Sequence, residues 1–315
     1  MKIVYVTGCL GLIGSHITRL LLERDWYVIG VDACTYVANT SLLKEFSEFK
    51  NFKFINSDIN DLETLYDCDY IINTAAETHV ANSLVDSTKF FKSNISGVEK
   101  LLNLIKKLNN NTSFPTLIHF SSYEVYGNNS VDLVNEKSML NPVNPYSATK
   151  ASADMIVKAF NATFNIPYII IRPNCNYGLG QYVEKLIPKF CKYALLKKKF
   201  PLHNGGLTSR TWVNALDTAK AVIKVIDSGV KNEIFNVSSS FEISNLDLCN
   251  SILKVYYPEV EDTSDFFDLT YVRNGQNFKF LLDDSKIRNL GWKDETIFSE
   301  EIVKISNYYK SKFIW

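Results

Sequence analysis

The run Lys2–Asp32, KIVYVTGCLGLIGSHITRLLLERDWYVIGVD, decides the architecture of the chain. Lys2 to Thr7 is β-branched and aromatic, the pattern of a strand buried in a parallel sheet. Gly8-Cys9-Leu10-Gly11-Leu12-Ile13-Gly14 follows without a gap, and Ile13 to Arg24 then carries the apolar spacing of an amphipathic helix. A second apolar run, Trp26 to Val31, ends in Asp32. Glycines between a strand and a helix, with an acid closing the next strand, form the fingerprint of a dinucleotide site. Glycine lets the backbone approach a pyrophosphate, and the helix N-terminus supplies amide donors and the positive end of its dipole. Asp32 is placed to accept from a ribose 2′-hydroxyl and would repel a 2′-phosphate, so the cofactor expected is NAD rather than NADP. The plain alternative is a glycine turn with no ligand.

Strand and helix signals keep alternating beyond Asp32. Asn51 to Ile55 reads as a strand, closed by Ser57-Asp58-Ile59, whose acid suits an adenine amino group. Asp69 to Asn73 is another strand, and the small residues Thr74-Ala75-Ala76 after it permit close approach of backbone to cofactor. Thr88 to Leu108 reads as one long helix containing Asn94, Thr116 to Phe120 as a strand, Pro145 to Phe164 as a helix, and Pro167 to Arg172 as a further strand. Repeated βα units with short connections predict a doubly wound parallel sheet of Rossmann type over residues 1–172. After Arg172 the chain turns polar and aromatic. Helices are expected over about 183–199 and 214–228, a strand ending at Asn236-Val237, and another near Phe278 to Leu282. Residues 173–315 therefore read as a smaller substrate-binding lobe, with the elements near 212–240 returning to the first domain.

Within this frame His119–Lys150 carries the chemistry. It holds Ser122, Tyr123 and Glu124 together, then Tyr146 and Lys150 four residues apart. A phenol and an ammonium at i and i+4 share one helix face, where the ammonium is expected to lower the phenol's pKa toward neutrality.

Bulk properties narrow the classes. The 315 residues are 46% hydrophobic and 22% charged, the make-up of an ordinary globular protein. The 34 basic and 34 acidic residues cancel, which points to neither a nucleic-acid nor a membrane partner, and Lys197-Lys198-Lys199 reads as a solvated helix end. The six cysteines show no C-x-x-C and the four histidines no zinc-enzyme spacing, so no metal is expected. MKIVYVTG reads as a strand rather than a signal peptide, and no apolar run reaches membrane-spanning length, so a cytoplasmic protein with reduced thiols is expected.

In this order the glycine motif, Asp32, Asp58, Ser122 and Tyr146-x-x-x-Lys150 resemble the extended short-chain dehydrogenase/reductases, and within them the nucleotide-sugar 4,6-dehydratases of the dTDP-glucose and UDP-glucose type. Asp32-Ala33-Cys34-Thr35-Tyr36-Val37-Ala38-Asn39 is similar to that group's D-x-L-T-Y-A-G-N, and Ala75-Ala76-Glu77-Thr78-His79-Val80 to its A-A-E-S-H-V. Glu184-Lys185-Leu186-Ile187-Pro188 equals its E-K-L-I-P, and Leu290-Gly291-Trp292 its C-terminal L-G-W.

The resemblance implies a tightly held NAD, with Thr35 among its contacts, and a division of labour at the sugar. Tyr146, with Lys150, takes the proton of the 4-hydroxyl as C4 is oxidised, and Ser122 hydrogen-bonds the same oxygen. Glu124 then removes the acidified C5 proton, and the 6-hydroxyl leaves. It implies Thr78, His79, Asn174 and Glu184 at the substrate, Lys185, Arg210 and Lys279 at its diphosphate, and a homodimer joined by a four-helix bundle from the helices near 88–108 and 145–164. The dTDP-glucose enzymes read T-D-E where this chain has Ser122-Tyr123-Glu124. Tyr123 thus replaces an acid of pKa about 4 by one near 10, either as a proton donor or as a ring that shapes the pocket. Cys175 stands where an Asn is usual, and Phe278-Lys279 replaces a paired Arg-Arg. A related 4-epimerase, 4-dehydrogenase or uronate decarboxylase is the alternative enzyme, and a catalytically silent dinucleotide sensor the alternative class.

Overall fold

The computed structural model describes residues 1–108, 114–127, 133–270 and 281–312. Seven parallel strands form the central sheet in the order Glu233–Val237, Tyr168–Pro173, Thr116–Phe120, Tyr70–Asn73, Ile3–Thr7, Tyr27–Asp32 and Phe52–Asn56. The chain winds outward from Ile3–Thr7 to Phe52–Asn56, then crosses back to lay Tyr70–Asn73 on the other side of the first strand. That reversal opens a crevice at the carboxyl ends of the two strands, where such sheets bind ligands.

Alternation along each strand feeds two cores. Val4, Val6, Val28, Ile72 and Ile118 face the helices Leu12–Leu22 and Ala215–Ser228. Tyr5, Ile29, Ile71, Leu117 and Ile170 face Gly97–Lys107 and Pro145–Phe164. Burial on both faces is why these strands read as nearly continuous apolar runs. A separate core around Tyr177, Phe190, Leu248, Ile252, Ile302 and Tyr309 belongs to the later part of the chain. There Glu242–Ser244, Ser209–Asn214 and Cys175–Tyr177 make a three-stranded sheet.

The helices expected over 183–199 and 214–228 are Leu186–Leu195 and Ala215–Ser228. The continuous helix expected over Thr88–Leu108 is broken: Lys92–Ser96 winds as a π-helix between Thr88–Phe91 and Gly97–Lys107. Its Asn94 accepts from Glu77 N at 2.9 Å and donates to Glu77 O and Thr149 Oγ1, each at 3.0 Å. The wider turn accompanies a side chain that ties the loop after Tyr70–Asn73 to the helix Pro145–Phe164, and π-turns gather at such functional places. Of the strand expected near Phe278–Leu282, 278–280 lie outside the described residues, and Leu282 pairs only with Val134 as an isolated bridge. No helix among the described residues is long and apolar enough to cross a membrane.

Candidate active site

Two cavities meet at the crevice and share Gly8, Gly11, Val37, Thr74 and Ala76, so they form one cleft. The first half is built largely from backbone. Gly8 sits at φ +72°, and a Cβ there would lie 2.7 Å from Ala75 N. A Cβ on Gly14 would lie 2.1 Å from Gly8 O. Both positions demand glycine because strand, turn and helix touch there. Gly11 starts the helix Leu12–Leu22 without a side-chain cap, so the first amides of that helix, at Leu12 and Ile13, have no side-chain partner there. Leu12, Ile13 and Gly14 line the cleft.

Asp32 lines the same half, and its two carboxylate oxygens accept from Leu10 N at 3.0 Å and Cys34 N at 2.9 Å. Burial pushes this carboxyl up against the pull of those amides. Thr35, Asp58, Ile59 and Ala75 complete the lining, with Asp58 shaping its own turn by accepting from Asn60 N at 2.9 Å. Lys89 and Lys92, unforeseen from the sequence, also reach this half. Among the described residues no group of His, Cys, Asp and Glu is arranged to hold a metal ion.

Side chains from distant segments build the second half. Ser122, Tyr123, Glu124, Tyr146, Lys150, Asn174, Glu184 and Lys185 all line it, joined by Cys175 and Trp212. The helix bearing Tyr146 and Lys150 begins at Asn144, whose Oδ1 accepts from Ser147 N at 2.8 Å while Ser147 Oγ accepts from Asn144 N at 3.2 Å. Pro145 occupies the first helical position, where its missing N–H costs nothing. The same Asn144 donates from Nδ2 to Glu124 Oε2 at 2.9 Å. One cap therefore starts the helix and orients the carboxylate. The sequence reading missed Asn144, although Asn-Pro three residues before Ser147 is a capping signal.

Tyr123 OH lies 3.2 Å from Cys175 Sγ. The residue replacing the expected acid and the residue replacing the expected Asn thus meet. Burial, followed by Cys175 and Glu124, pushes the Tyr123 phenol well above its ordinary range, so it stays protonated. Lys185 donates to Thr78 O and Oγ1, both at 3.0 Å, and burial lowers its pKa. Asn174 is occupied, donating to Ser238 Oγ at 3.3 Å and accepting from Cys175 N at 2.8 Å.

Four expectations need correction or fall outside. Tyr146 is not lowered: burial, then Glu124, raises its phenol, against a pull from Ser122. Burial instead pulls Lys150 down to about 8. Removing both groups from water outweighs their helical proximity. His79, expected in the substrate pocket, starts the helix Val80–Val85 and stands outside the lining of the cleft, as does Arg210, which donates to Ser209 O at 2.9 Å. Arg210 still lies close enough to act electrostatically on Tyr123 and Cys175. Lys279 lies outside the described residues.

The sequence profile of GDP-mannose 4,6 dehydratase matches residues 5–305. A trifunctional UDP-glucose 4,6-dehydratase/UDP-4-keto-6-deoxy-D-glucose 3,5-epimerase/UDP-4-keto-L-rhamnose-reductase of Arabidopsis thaliana is 34% identical over all of this chain, which spans about half (48%) of that protein's length. The dTDP-D-glucose 4,6-dehydratase of Dictyostelium discoideum is 32% identical over 98% of the chain and 81% of its own. The crystal structure of a dTDP-glucose 4,6-dehydratase from Streptomyces venezuelae, with NAD bound, superposes with a TM-score of 0.88 at 29% identity, covering 99% of this chain and 97% of that one.

Proposed function

The chain belongs to the GDP-mannose 4,6-dehydratase family of extended short-chain dehydrogenase/reductases, and on that premise we propose that it is an NAD-dependent nucleotide-sugar 4,6-dehydratase. The observation that carries this reading is the convergence of Glu124, Tyr146, Lys150 and Ser122 on one cleft whose other half is a glycine-built dinucleotide cradle. Epimerisation at C4 needs no carboxylate there, whereas elimination across C5 and C6 needs a base for a carbon acid.

The residues present fit NAD. The close contacts at Gly8 and Gly14 keep side chains out of the path of a pyrophosphate, the uncapped helix start offers amides, and Asp32 and Asp58 stand where a ribose and an adenine would be held. When bound, NAD supplies the hydride acceptor and donor. The protein's own residues supply the proton chemistry. Tyr146 is the base for the sugar's 4-hydroxyl in the fraction that the Lys150 ammonium and the Ser122 hydroxyl hold as phenolate against the rise that burial imposes, and Ser122 hydrogen-bonds the same sugar oxygen. Glu124, aimed by Asn144, takes the proton from C5. Tyr123, held protonated, gives a proton to the departing 6-hydroxyl, which leaves as water. Lys185 is the cation for the diphosphate, with Thr78 and Glu184 beside it, and Arg210, outside the lining of the cleft, adds its charge from behind Tyr123 and Cys175.

We propose further that residues 1–172, with the elements near 212–240, form the cofactor domain and 173–315 mainly the substrate lobe. The pairing of Glu233–Val237 with Tyr168–Pro173 supports that division. A cytoplasmic homodimer, bundled through the segments 88–107 and 145–164, is the assembly proposed. Its support is the exposure of Phe91 and Met155 on those segments, and the six free cysteines fit a reducing compartment.

The test is product mass after incubation with dTDP-, UDP- and GDP-hexoses and the corresponding hexuronates. A product lighter by one water from one of them, absent in Glu124→Gln, is expected. Unchanged mass across the panel, or loss of CO2 from a uronate, overturns the reading.

A further inference from the structure

Beneath the cleft lies a buried charge cluster that the chemistry above does not use. Asp154 stands one turn beyond Lys150 on the same helix and is 1% exposed. Arg172 meets it from the strand Tyr168–Pro173, with Nε and Nη2 both donating to Oδ2, at 3.0 and 2.8 Å. The third arm of that guanidinium, Nη1, donates to Tyr126 OH at 2.9 Å, and Tyr126 OH donates in turn to Asn236 Oδ1 at 2.7 Å. All of Arg172's hydrogen bonding to the carboxylate therefore falls on one oxygen. The other, Oδ1, makes no hydrogen bond.

The groups around Oδ1 come from every neighbouring element. His119 Nε2, on the strand Thr116–Phe120, lies 3.8 Å away. Its Nδ1 is 3.3 Å from Asn73 Nδ2, whose own Oδ1 already accepts from Thr7 Oγ1 at 2.7 Å. Asn73 is therefore the donor, and the imidazole proton rests on Nε2. Burial, with Lys150 and Arg172 adding to it, holds His119 well below its ordinary range, so it is neutral. The Ser121 hydroxyl, which steadies the carboxylate as a neutral donor, and the Tyr168 ring complete the surroundings and bring no charge. What remains is two cations, Lys150 and Arg172, with Asp154 the single anion between them. For Lys150, Asp154 is the group that opposes the effect of burial.

We propose that Asp154 is a positioning residue for the proton-transfer pair: one helical turn from Lys150 and anchored through Oδ2 by Arg172, its carboxylate keeps Lys150 an ammonium one turn below Tyr146. The asymmetry between the two cations makes this consequential. A guanidinium does not give up its proton in a protein, whereas a buried lysine does. If the shared anion is removed, two buried positive charges face each other, and Lys150 is the one that yields. Arg172 thus tunes the pair by competing for Asp154.

This inference rests on reading Tyr146 and Lys150 as the proton-transfer pair, and its test reads Lys150 directly rather than turnover. The full chain is labelled at the lysine ε-carbon and titrated by NMR, with the Lys150 signal assigned by its loss in Lys150→Met. Asp154→Asn is expected to move the Lys150 midpoint about one to two pH units lower, and Asp154→Glu to restore most of it. Arg172→Gln, which keeps an amide donor toward Asp154 but no charge, is expected to move it upward. The alkaline fall of kcat/KM shifts in the same sense in each variant. A folded Asp154→Asn protein whose Lys150 titrates as in the wild type overturns the proposal, as does movement of both charge variants in one direction. Should Asp154→Asn not fold, the direction in Arg172→Gln decides. If the midpoints move as stated while no nucleotide sugar is turned over, the inference stands and the functional reading falls.

Discussion

The two halves of the cleft are made of different materials. The cofactor half is largely backbone: glycines at Gly8 and Gly14, a helix start at Gly11, and the ends of adjacent parallel strands. The substrate half is assembled from side chains contributed by positions 78, 122–124, 146, 150, 174–175 and 184–185. Backbone geometry of this kind tolerates almost no substitution, so that half keeps a legible signature. Side-chain geometry can be exchanged in compensating pairs, and the Tyr123–Cys175 contact is such a pair: a larger ring where an acid was expected, and a smaller thiol where an amide was expected.

The contrast breaks most visibly at Gly8. In Gly8→Ala the new Cβ meets Ala75 N at 2.7 Å from a backbone at φ +72°. Left-handed strain and overpacking together cost about 3 kcal/mol. Calorimetry with and without NAD should show a Tm lower by roughly 4–5 °C and a lost or much reduced cofactor-induced rise. Wild-type melting with full cofactor response would mean the turn is not the cradle.

A smaller effect, confined to the other half, is expected in Tyr123→Phe. The ring and its packing stay while the proton goes, so elimination should slow roughly 10²- to 10⁴-fold with cofactor binding unchanged. The C4-oxidised sugar should accumulate with its 6-hydroxyl intact, as mass spectrometry of quenched reactions will read. A Tyr123→Phe enzyme dehydrating at the wild-type rate would reduce that phenol to a wall of the pocket.

The smallest effect lies where the halves are tied together. Tyr36 OH donates to Glu184 Oε2 at 3.1 Å, and the rings of Tyr36 and Tyr182 pack edge to face at 5.3 Å. Tyr36→Phe removes one partly exposed hydrogen bond and keeps the ring contact. About 1 kcal/mol is at stake, so cofactor dissociation should quicken no more than roughly 5-fold. A loss as large as that of Gly8→Ala would show that the bridge, rather than the glycine turn, retains the cofactor.

These differences also explain what could be read from the chain. Lys2–Asp32 announces its strand, turn and helix through local spacing, and the run from Pro145 announces the helix of Tyr146 and Lys150, whose cap at Asn144 went unread. Nothing local brings Cys175 to Tyr123 across 52 positions, or Arg172 to Asp154. The π-turn at Lys92–Ser96 was equally hidden, because Asn94 is recruited by Glu77 and Thr149, both remote in sequence. The i, i+4 spacing put Tyr146 and Lys150 on one face, as the helix does, but spacing carries no information on burial. Burial reversed the expected direction of the Tyr146 pKa.

In the proposed reaction Glu124 removes the proton from C5 and the 6-hydroxyl then departs. Turnover of the accepted nucleotide hexose in deuterium oxide tests both at once, because a carbon acid deprotonated by a carboxylate is reprotonated from solvent. The expected product lacks one water and carries one deuteron, located at C5 by NMR, with both changes abolished in Glu124→Gln. A product of unchanged elemental composition, or one that has lost water yet holds only protium at C5, would contradict it.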